Sequence, residues 1–195
     1  MTALDKPSVL TALGISGAVA LVMCAVPLLG IHGIESALVL GVVQPPLCAY
    51  ATARLTQRTL LQDARAGLAR IFARNLRFAG LLWLLPVLVL WLDSLRIRNC
   101  SPLEGFASML LGPAFGIALA SVVATGIALA CPRLRALPLW AAAVPLFTEL
   151  RAIWRMYDGP GIYAYGHFFG FFPGTLYDEN VGFTPSFLWL RVATA

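Results

Sequence analysis

Long apolar runs, separated by short polar or basic segments, dominate the hydropathy pattern of the chain. A bilayer core requires about 20 apolar residues per helix. Residues 9–29 and 34–53 are long enough, and residues 103–130 exceed that length, which predicts a tilted span. Residues 78–92 are short, but Arg77 can extend this run by reaching the interface.

A fifth apolar run, residues 137–150, is weaker because Glu149, Arg151 and Arg155 lie at its end. The pattern predicts an all-α fold, a polytopic transmembrane helix bundle of about five spans over residues 1–156. The apolar run 181–195 predicts, as an addition, the start of an incomplete sixth span at the C-terminus.

Composition supports the membrane assignment. The chain is 59% hydrophobic and 12% charged, with a mean hydropathy of +0.82, which excludes an ordinary soluble domain. The first apolar run is longer than a signal-peptide core, so we predict a span that is not cleaved. The four cysteines have neither the spacing of a zinc site nor an external pair for a disulfide.

Basic residues predict the orientation. The loop 54–77 contains six arginines and one acid, Asp63, so the positive-inside rule places it in the cytoplasm. The N-terminus is then cytoplasmic and the segment after Tyr157 lies on the outer side. Thirteen arginines against one lysine, with many alanines and leucines, are associated with GC-rich bacterial genomes, so we predict a multi-pass protein of a bacterial inner membrane with this segment in the periplasm. The loop also has amphipathic spacing, with three arginines on one face that can bind anionic headgroups: Arg70, Arg74 and Arg77. The alternative is a solvated topology signal, and no binding of nucleic acid is predicted.

Small residues recur every four positions in the fourth span: Ser108, Gly112, Gly116, Ala120 and Ala124. Such a stripe lets helix backbones approach closely in lipid. It predicts internal helix packing, with a dimerisation face as the alternative.

Every span also contains proline, and Gln44-Pro45-Pro46 lies near the centre of the second. Proline frees a carbonyl one turn earlier. Transporters use such breaks to bind ions or substrates, but a kink whose carbonyl is satisfied by neighbouring side chains is the simpler interpretation.

The segment 157–195 begins with an aromatic and glycine-rich stretch, AYGHFFGFFPGTLYDEN at 164–180. Its glycines would break a free-standing span, so we predict an outer-side interfacial or re-entrant cap. Five residues on that side are candidate ligands for zinc or another divalent ion: His32, His167, Glu35, Asp178 and Glu179. In the alternative interpretation, the histidines form hydrogen bonds with backbone carbonyls, and the acids lie outside because acidic residues are tolerated on that side of the membrane. No cofactor is predicted.

Two motifs, NCSPLEG at 99–105 and GHFFGFFPGTLYDE at 166–179, resemble the multi-span membrane region of large myxobacterial-type envelope proteins. The resemblance implies a zinc metallopeptidase-like domain of the gluzincin kind downstream, on the outer side. This chain has no metal-binding motif of that kind, so the resemblance implies the membrane part alone and assigns no catalytic residue.

No catalytic signature is present, and an enzyme is not the favoured interpretation. We expect a non-enzymatic anchor or organising subunit of an envelope assembly, with protein partners in the membrane or on its outer side. A small transporter or channel subunit with proline-broken helices is the alternative, and a membrane-embedded hydrolase is ranked third.

Overall fold

The structure of the protein is a computed structural model, which describes residues 7–63, 67–96, 102–158, 164–172 and 185–194. Within these ranges the chain is mostly helical, with one two-stranded β-hairpin. The predicted helix bundle is confirmed in this coarse form. The hairpin is an element that the apolar pattern did not indicate.

Three long helices come first in the chain: α1 (Pro7–Cys24), α2 (Ile34–Gln62) and α3 (Leu68–Ser94). A continuous helical stretch follows whose winding changes in the middle: α4 (Pro102–Met109), a π-helical segment (Leu110–Ala114) and α5 (Phe115–Ala130). The last elements are α6 (Leu137–Asp158), the strands β1 (Ala164–Gly166) and β2 (Gly170–Phe172), and α7 (Pro185–Thr194).

Four of these stretches are long and apolar enough to cross a membrane: α1, α2, α3 and the stretch from α4 to α5. The helix α6 is not among them, because Glu149 and Arg151 lower the hydropathy of its second half. The sequence pattern predicted about five spans, and the structure supports four by length and composition.

The basic loop predicted at 54–77 is not a separate amphipathic helix. Residues 54–62 continue α2 and residues 68–77 begin α3. Leu55 and Ile71, on these two helix ends, are buried in the bundle. Four other apolar residues of this segment are exposed: Leu61, Leu68, Phe72 and Leu76. The bundle therefore covers only part of the predicted apolar face.

The helix α2 is the centre of the bundle. It packs against α5 and α6, while α1 packs mainly against α3. The main core is rich in small side chains, with alanines of α2 and α5 that are at most 1% exposed: Ala49, Ala51, Ala53, Ala120, Ala124 and Ala128. Small residues allow the close helix contacts on which association in lipid depends.

The hairpin pairs two short antiparallel strands, with Ala164 opposite Phe172 and Gly166 opposite Gly170. Gly170 has a φ of +99°, a conformation that glycine adopts without strain. The hairpin contacts α2, α6 and the π-helical segment. It is therefore attached to the bundle itself and does not lie apart from it as a separate surface layer.

The apolar run 181–195 forms only a short helix in its described part. At ten residues, α7 is about half as long as a span must be. Phe187 and Arg191 of α7 are buried against the bundle. The described residues of this run thus form a docked helix.

Candidate functional site

The turn of the β-hairpin docks on glycines of two neighbouring helices. Backbone atoms of Phe168 occupy the space that a side chain at Gly116 would require, and backbone atoms of Phe169 do the same at Gly41. Both phenylalanines are only 5% exposed. The hairpin therefore lies against α2 and α5 at a distance that is possible only because positions 41 and 116 have no Cβ atom.

The helix beside the hairpin changes its winding at a proline. Pro113 has no N–H, so the carbonyl of Met109, one turn earlier, lacks its usual helical donor. The indole Nε1–H of Trp83 donates to this carbonyl at 3.0 Å. The five residues Leu110–Ala114 are π-helical, a distortion that is frequent at functional sites.

Arg191 of α7 joins the hairpin to this π-helical segment. Its Nη1 donates to the carbonyl of His167 at 2.8 Å, and its Nη2 donates to the carbonyl of Gly112 at 3.3 Å. The guanidinium also lies 5.6 Å from the ring centre of Phe115 and 5.2 Å from that of Phe187. One buried cation thus connects three separate elements.

The surroundings of Arg191 allow its guanidinium to remain positively charged while it is buried. The residue is 3% exposed, and burial lowers the pKa of its guanidinium to about 10 because the charged form loses hydration. The group therefore remains positive at neutral pH. Carbonyl oxygens and aromatic faces supply the negative partial charge that a buried cation requires.

A second carbonyl freed by proline lies between α1, α2 and α3. Pro86 leaves the carbonyl of Leu82 without its helical donor. Gln44 Nε2 donates to this carbonyl at 2.8 Å, and the hydroxyl of Ser16 donates to it at 3.4 Å. Gln44 also donates to the Ser16 hydroxyl oxygen at 2.9 Å. Neighbouring side chains therefore satisfy the carbonyl that Pro86 leaves free.

A third polar cluster joins α2, α3 and α5. Asn75 Nδ2 donates to the hydroxyl oxygens of Thr56 and Thr125, each at 2.8 Å. All three residues are fully buried. In a membrane such hydrogen bonds favour one arrangement of neighbouring helices.

A small cavity adjoins the docked hairpin. Its volume is about 20 Å³, and its lining includes Ala37, Ser108, Gly112, Phe169 and Phe187. This volume accommodates about one water molecule. It is far smaller than the roughly 300 Å³ or more of an ordinary ligand pocket.

The candidate metal ligands lie in different surroundings. The Nε2 atom of His32 is 3.2 Å from the carbonyl of Val87, and burial lowers the pKa of this imidazole, although the backbone contact opposes the shift. His167 is exposed, with its Nδ1 atom 2.9 Å from the hydroxyl of Thr194. Glu35 is in the first turn of α2.

Asp178 and Glu179, the other two candidate ligands, lie outside the described residues. In the described part of the chain, no three side chains of His, Cys, Asp or Glu are grouped as metal ligands. His32 makes a contact with the backbone carbonyl of Val87, of the kind that the alternative interpretation describes.

The three arginines predicted to face anionic headgroups differ in exposure. Arg70 and Arg77 are exposed on α3. Arg74 is half-buried and donates to the hydroxyl of Thr59 at 2.8 Å and to the side-chain oxygen of Asn75. Its guanidinium is therefore occupied within the bundle.

The stripe of small residues in the fourth span is buried along its whole length: Ser108, Gly112, Gly116, Ala120 and Ala124. Its middle part packs against the hairpin at Gly116, and the core around Ala120 and Ala124 includes residues of α2. These contacts bury the stripe against elements of the same chain.

Glu149 of α6 is an acid that the sequence pattern placed only at a span end. It is 4% exposed, and its Oε1 atom has no hydrogen-bond partner among the described residues. A buried acid without a compensating charge is costly in a membrane and often functional.

Comparison of the chain with protein-family models, with curated proteins and with solved structures finds no match.

Sequence reasoning assigned no role to Arg191, although it is the residue that joins the hairpin, α7 and the π-helical segment. One signal was available, because Arg191 is the single charged residue of the apolar run 181–195. Isolated charges in apolar segments generally have partners within the protein. The identity of those partners was not available from local sequence.

Proposed function

We propose that this chain is a non-enzymatic domain of a bacterial inner membrane that anchors or organises an envelope assembly. In this proposal it holds the polypeptide after α6, or a protein partner, at the outer face of the membrane. The supporting observation is the attachment of the hairpin and α7 to the bundle through buried Arg191. Because the hairpin and α7 are attached to the bundle, they present a fixed surface on which a partner can bind.

The proposed topology has five crossings, with α6 as the fifth, a cytoplasmic N-terminus and a periplasmic segment after residue 157. The hairpin is then a re-entrant element. Non-helical backbone at membrane depth is tolerated where protein buries it. The strand pairing of the hairpin and its contacts with Gly41 and Gly116 meet that condition.

Two native cysteines test this orientation. Cys131 is exposed just after α5, and Cys100, which lies outside the described residues, precedes α4. In cells with a permeabilised outer membrane, a membrane-impermeant maleimide should label Cys100 and leave Cys131 unlabelled until the inner membrane is opened. The reverse order would invert the proposed topology. Buried Cys48 serves as the control that reacts only after denaturation.

Co-isolation tests the anchoring role. Envelope proteins cross-linked in cells should co-purify with the unaltered chain, and Arg191→Gln should reduce their yield because the hairpin loses its attachment. Arg151→Gln removes an exposed arginine from α6 and should leave the yield unchanged. Equal yields from all three proteins would show that the Arg191 attachment does not hold the partner, and no co-purified protein at all would refute the anchoring role.

The buried carboxyl of Glu149 favours a second candidate, a small transporter or channel subunit. Placing an acidic side chain within the membrane is energetically costly, and such residues typically mark ion or proton pathways. In liposomes, a proton or substrate flux that is abolished by Glu149→Gln would support this function. Absence of any flux, together with co-purified envelope proteins, would favour the anchor.

A further inference from the structure

An open groove of about 420 Å³ runs between α1 and α2. Ile15 and Leu47 line its apolar end, and Ser8, Arg54 and Arg58 line its polar end. From Leu47 to Arg58, α2 advances by about 16 Å at 1.5 Å per residue. This distance is about half of the roughly 30 Å hydrocarbon core of a bilayer. With the arginines at its polar end, the groove leaves about 10 Å of apolar length between Arg54 and Leu47, which accommodates the first part of an acyl chain.

Two arginines stand one helical turn apart at the polar end of the groove. Arg54 Nη1 donates to the hydroxyl of Tyr50 at 2.9 Å, and its guanidinium lies 6.0 Å from the centre of that ring. Over the ranges that the structure describes, neither Arg54 nor Arg58 forms an ion pair with a carboxylate. Like charges at i and i+4 repel each other, so an anion bound between them would be stabilising.

The start of α1 adds neutral donors at the same end. The first backbone N–H groups of a helix have no partner within it and favour a negative charge. The hydroxyl oxygen of Ser8 is shielded from solvent and has no hydrogen-bond partner among the described residues. Guanidinium groups, a hydroxyl and a helix N-terminus together are the donors that bind a phosphate group.

We propose that this groove binds one anionic phospholipid of the surrounding bilayer. The phosphate lies at Arg54, Arg58 and Ser8, and one acyl chain lies along Ile15 and Leu47. The two arginines require an anion, while the apolar lining and the length of the groove require a hydrocarbon chain. Only a lipid satisfies both conditions, whereas a free phosphate satisfies the first alone.

Native mass spectrometry of the full chain, released from mixed micelles of phosphatidylglycerol and phosphatidylcholine, tests the proposal. We expect one phosphatidylglycerol per chain to be retained in preference to phosphatidylcholine. Arg54→Gln combined with Arg58→Gln should weaken this retention about tenfold, since each basic residue near an anionic headgroup contributes to binding. Arg151→Gln combined with Arg155→Gln removes the same charge from exposed positions of α6 and should change this retention less than about twofold.

Leu47→Trp tests the apolar end without changing the charge, because the larger side chain fills the path of the acyl chain. Phosphatidylglycerol retention should fall in this variant although both arginines remain. Unchanged retention by Leu47→Trp, equal weakening by the two double variants, or equally effective competition by inorganic phosphate would overturn the proposal. The preference for phosphatidylglycerol is measured on the unaltered chain, so equal retention of the two lipids would also overturn it.

Discussion

The central helix α2 is held on its two sides by different kinds of contact. Toward α1 and α3, Gln44 donates to the carbonyl of Leu82, which a proline has left without its helical donor. Toward α5 and the hairpin, Gly41 and Gly116 let backbone atoms of the hairpin turn approach closely. The first contact depends on the presence of a donor, and the second depends on the absence of a side chain. Substitutions that add volume should therefore damage the second side, and substitutions that remove a donor should damage the first.

The largest effect is expected for Gly116→Leu, since the new side chain meets the backbone of Phe168, which has little room to move. We expect a loss of about 1 to 3 kcal/mol in the free energy of unfolding, or failure to fold. Gly126→Leu is the matched control on the same helix, because a Cβ atom there has no neighbour within 4 Å. Unfolding in detergent measures both variants, and equal losses would contradict the close contact.

Arg191→Gln separates the contribution of the charge from that of the glycines. It removes donors from the carbonyls of His167 and Gly112, at a cost of about 1 to 3 kcal/mol. We expect this loss to be local, with faster amide hydrogen exchange in residues 164–172 and unchanged exchange in α3. If exchange in the hairpin is unchanged, the glycine contacts alone hold it.

On the opposite side of α2, Gln44→Leu leaves the carbonyl of Leu82 with the weaker Ser16 contact only. Hydrogen bonds of this kind in membranes contribute about 0.6 kcal/mol on average and at most about 1.7. Pro86→Leu restores the helical N–H donor, so Gln44→Leu should cost less in that background. A double-mutant cycle without coupling would show that Gln44 does not compensate for the proline.

Trp83→Phe should have the smallest effect. It removes the donor to the carbonyl of Met109 but keeps most of the apolar ring, and Trp83 is only partly buried. We expect a loss of about 0.6 kcal/mol or less, which should shrink further in combination with Pro113→Ala. If Trp83→Phe lowered the free energy of unfolding more than Gly116→Leu does, the donor contacts would matter more than the close glycine contacts, which is the opposite of what we expect.

Much of the helical architecture could be predicted from local composition. Each of the five predicted apolar runs lies largely within a helix, and the two small-residue positions Gly112 and Gly116 are buried as the four-residue spacing predicted. Burial in lipid depends on the hydropathy of consecutive residues, so the sequence pattern determines where the helices are. Helix ends were less predictable, since the bundle extends α2 and α3 into the arginine-rich region through buried Leu55 and Ile71.

By itself, the sequence determined a membrane-type helix bundle, the positions of its prolines and its glycine spacing. The tertiary structure decided which groups meet at those positions. Ser16 meets the carbonyl of Leu82 from 66 residues away, and Arg191 meets that of Gly112 from 79 residues away. A proline in a helix shows that the carbonyl one turn earlier lacks its helical donor, and a glycine shows that no side chain fills the space beside its Cα atom. Neither specifies the partner, because that depends on how distant helices pack around α2.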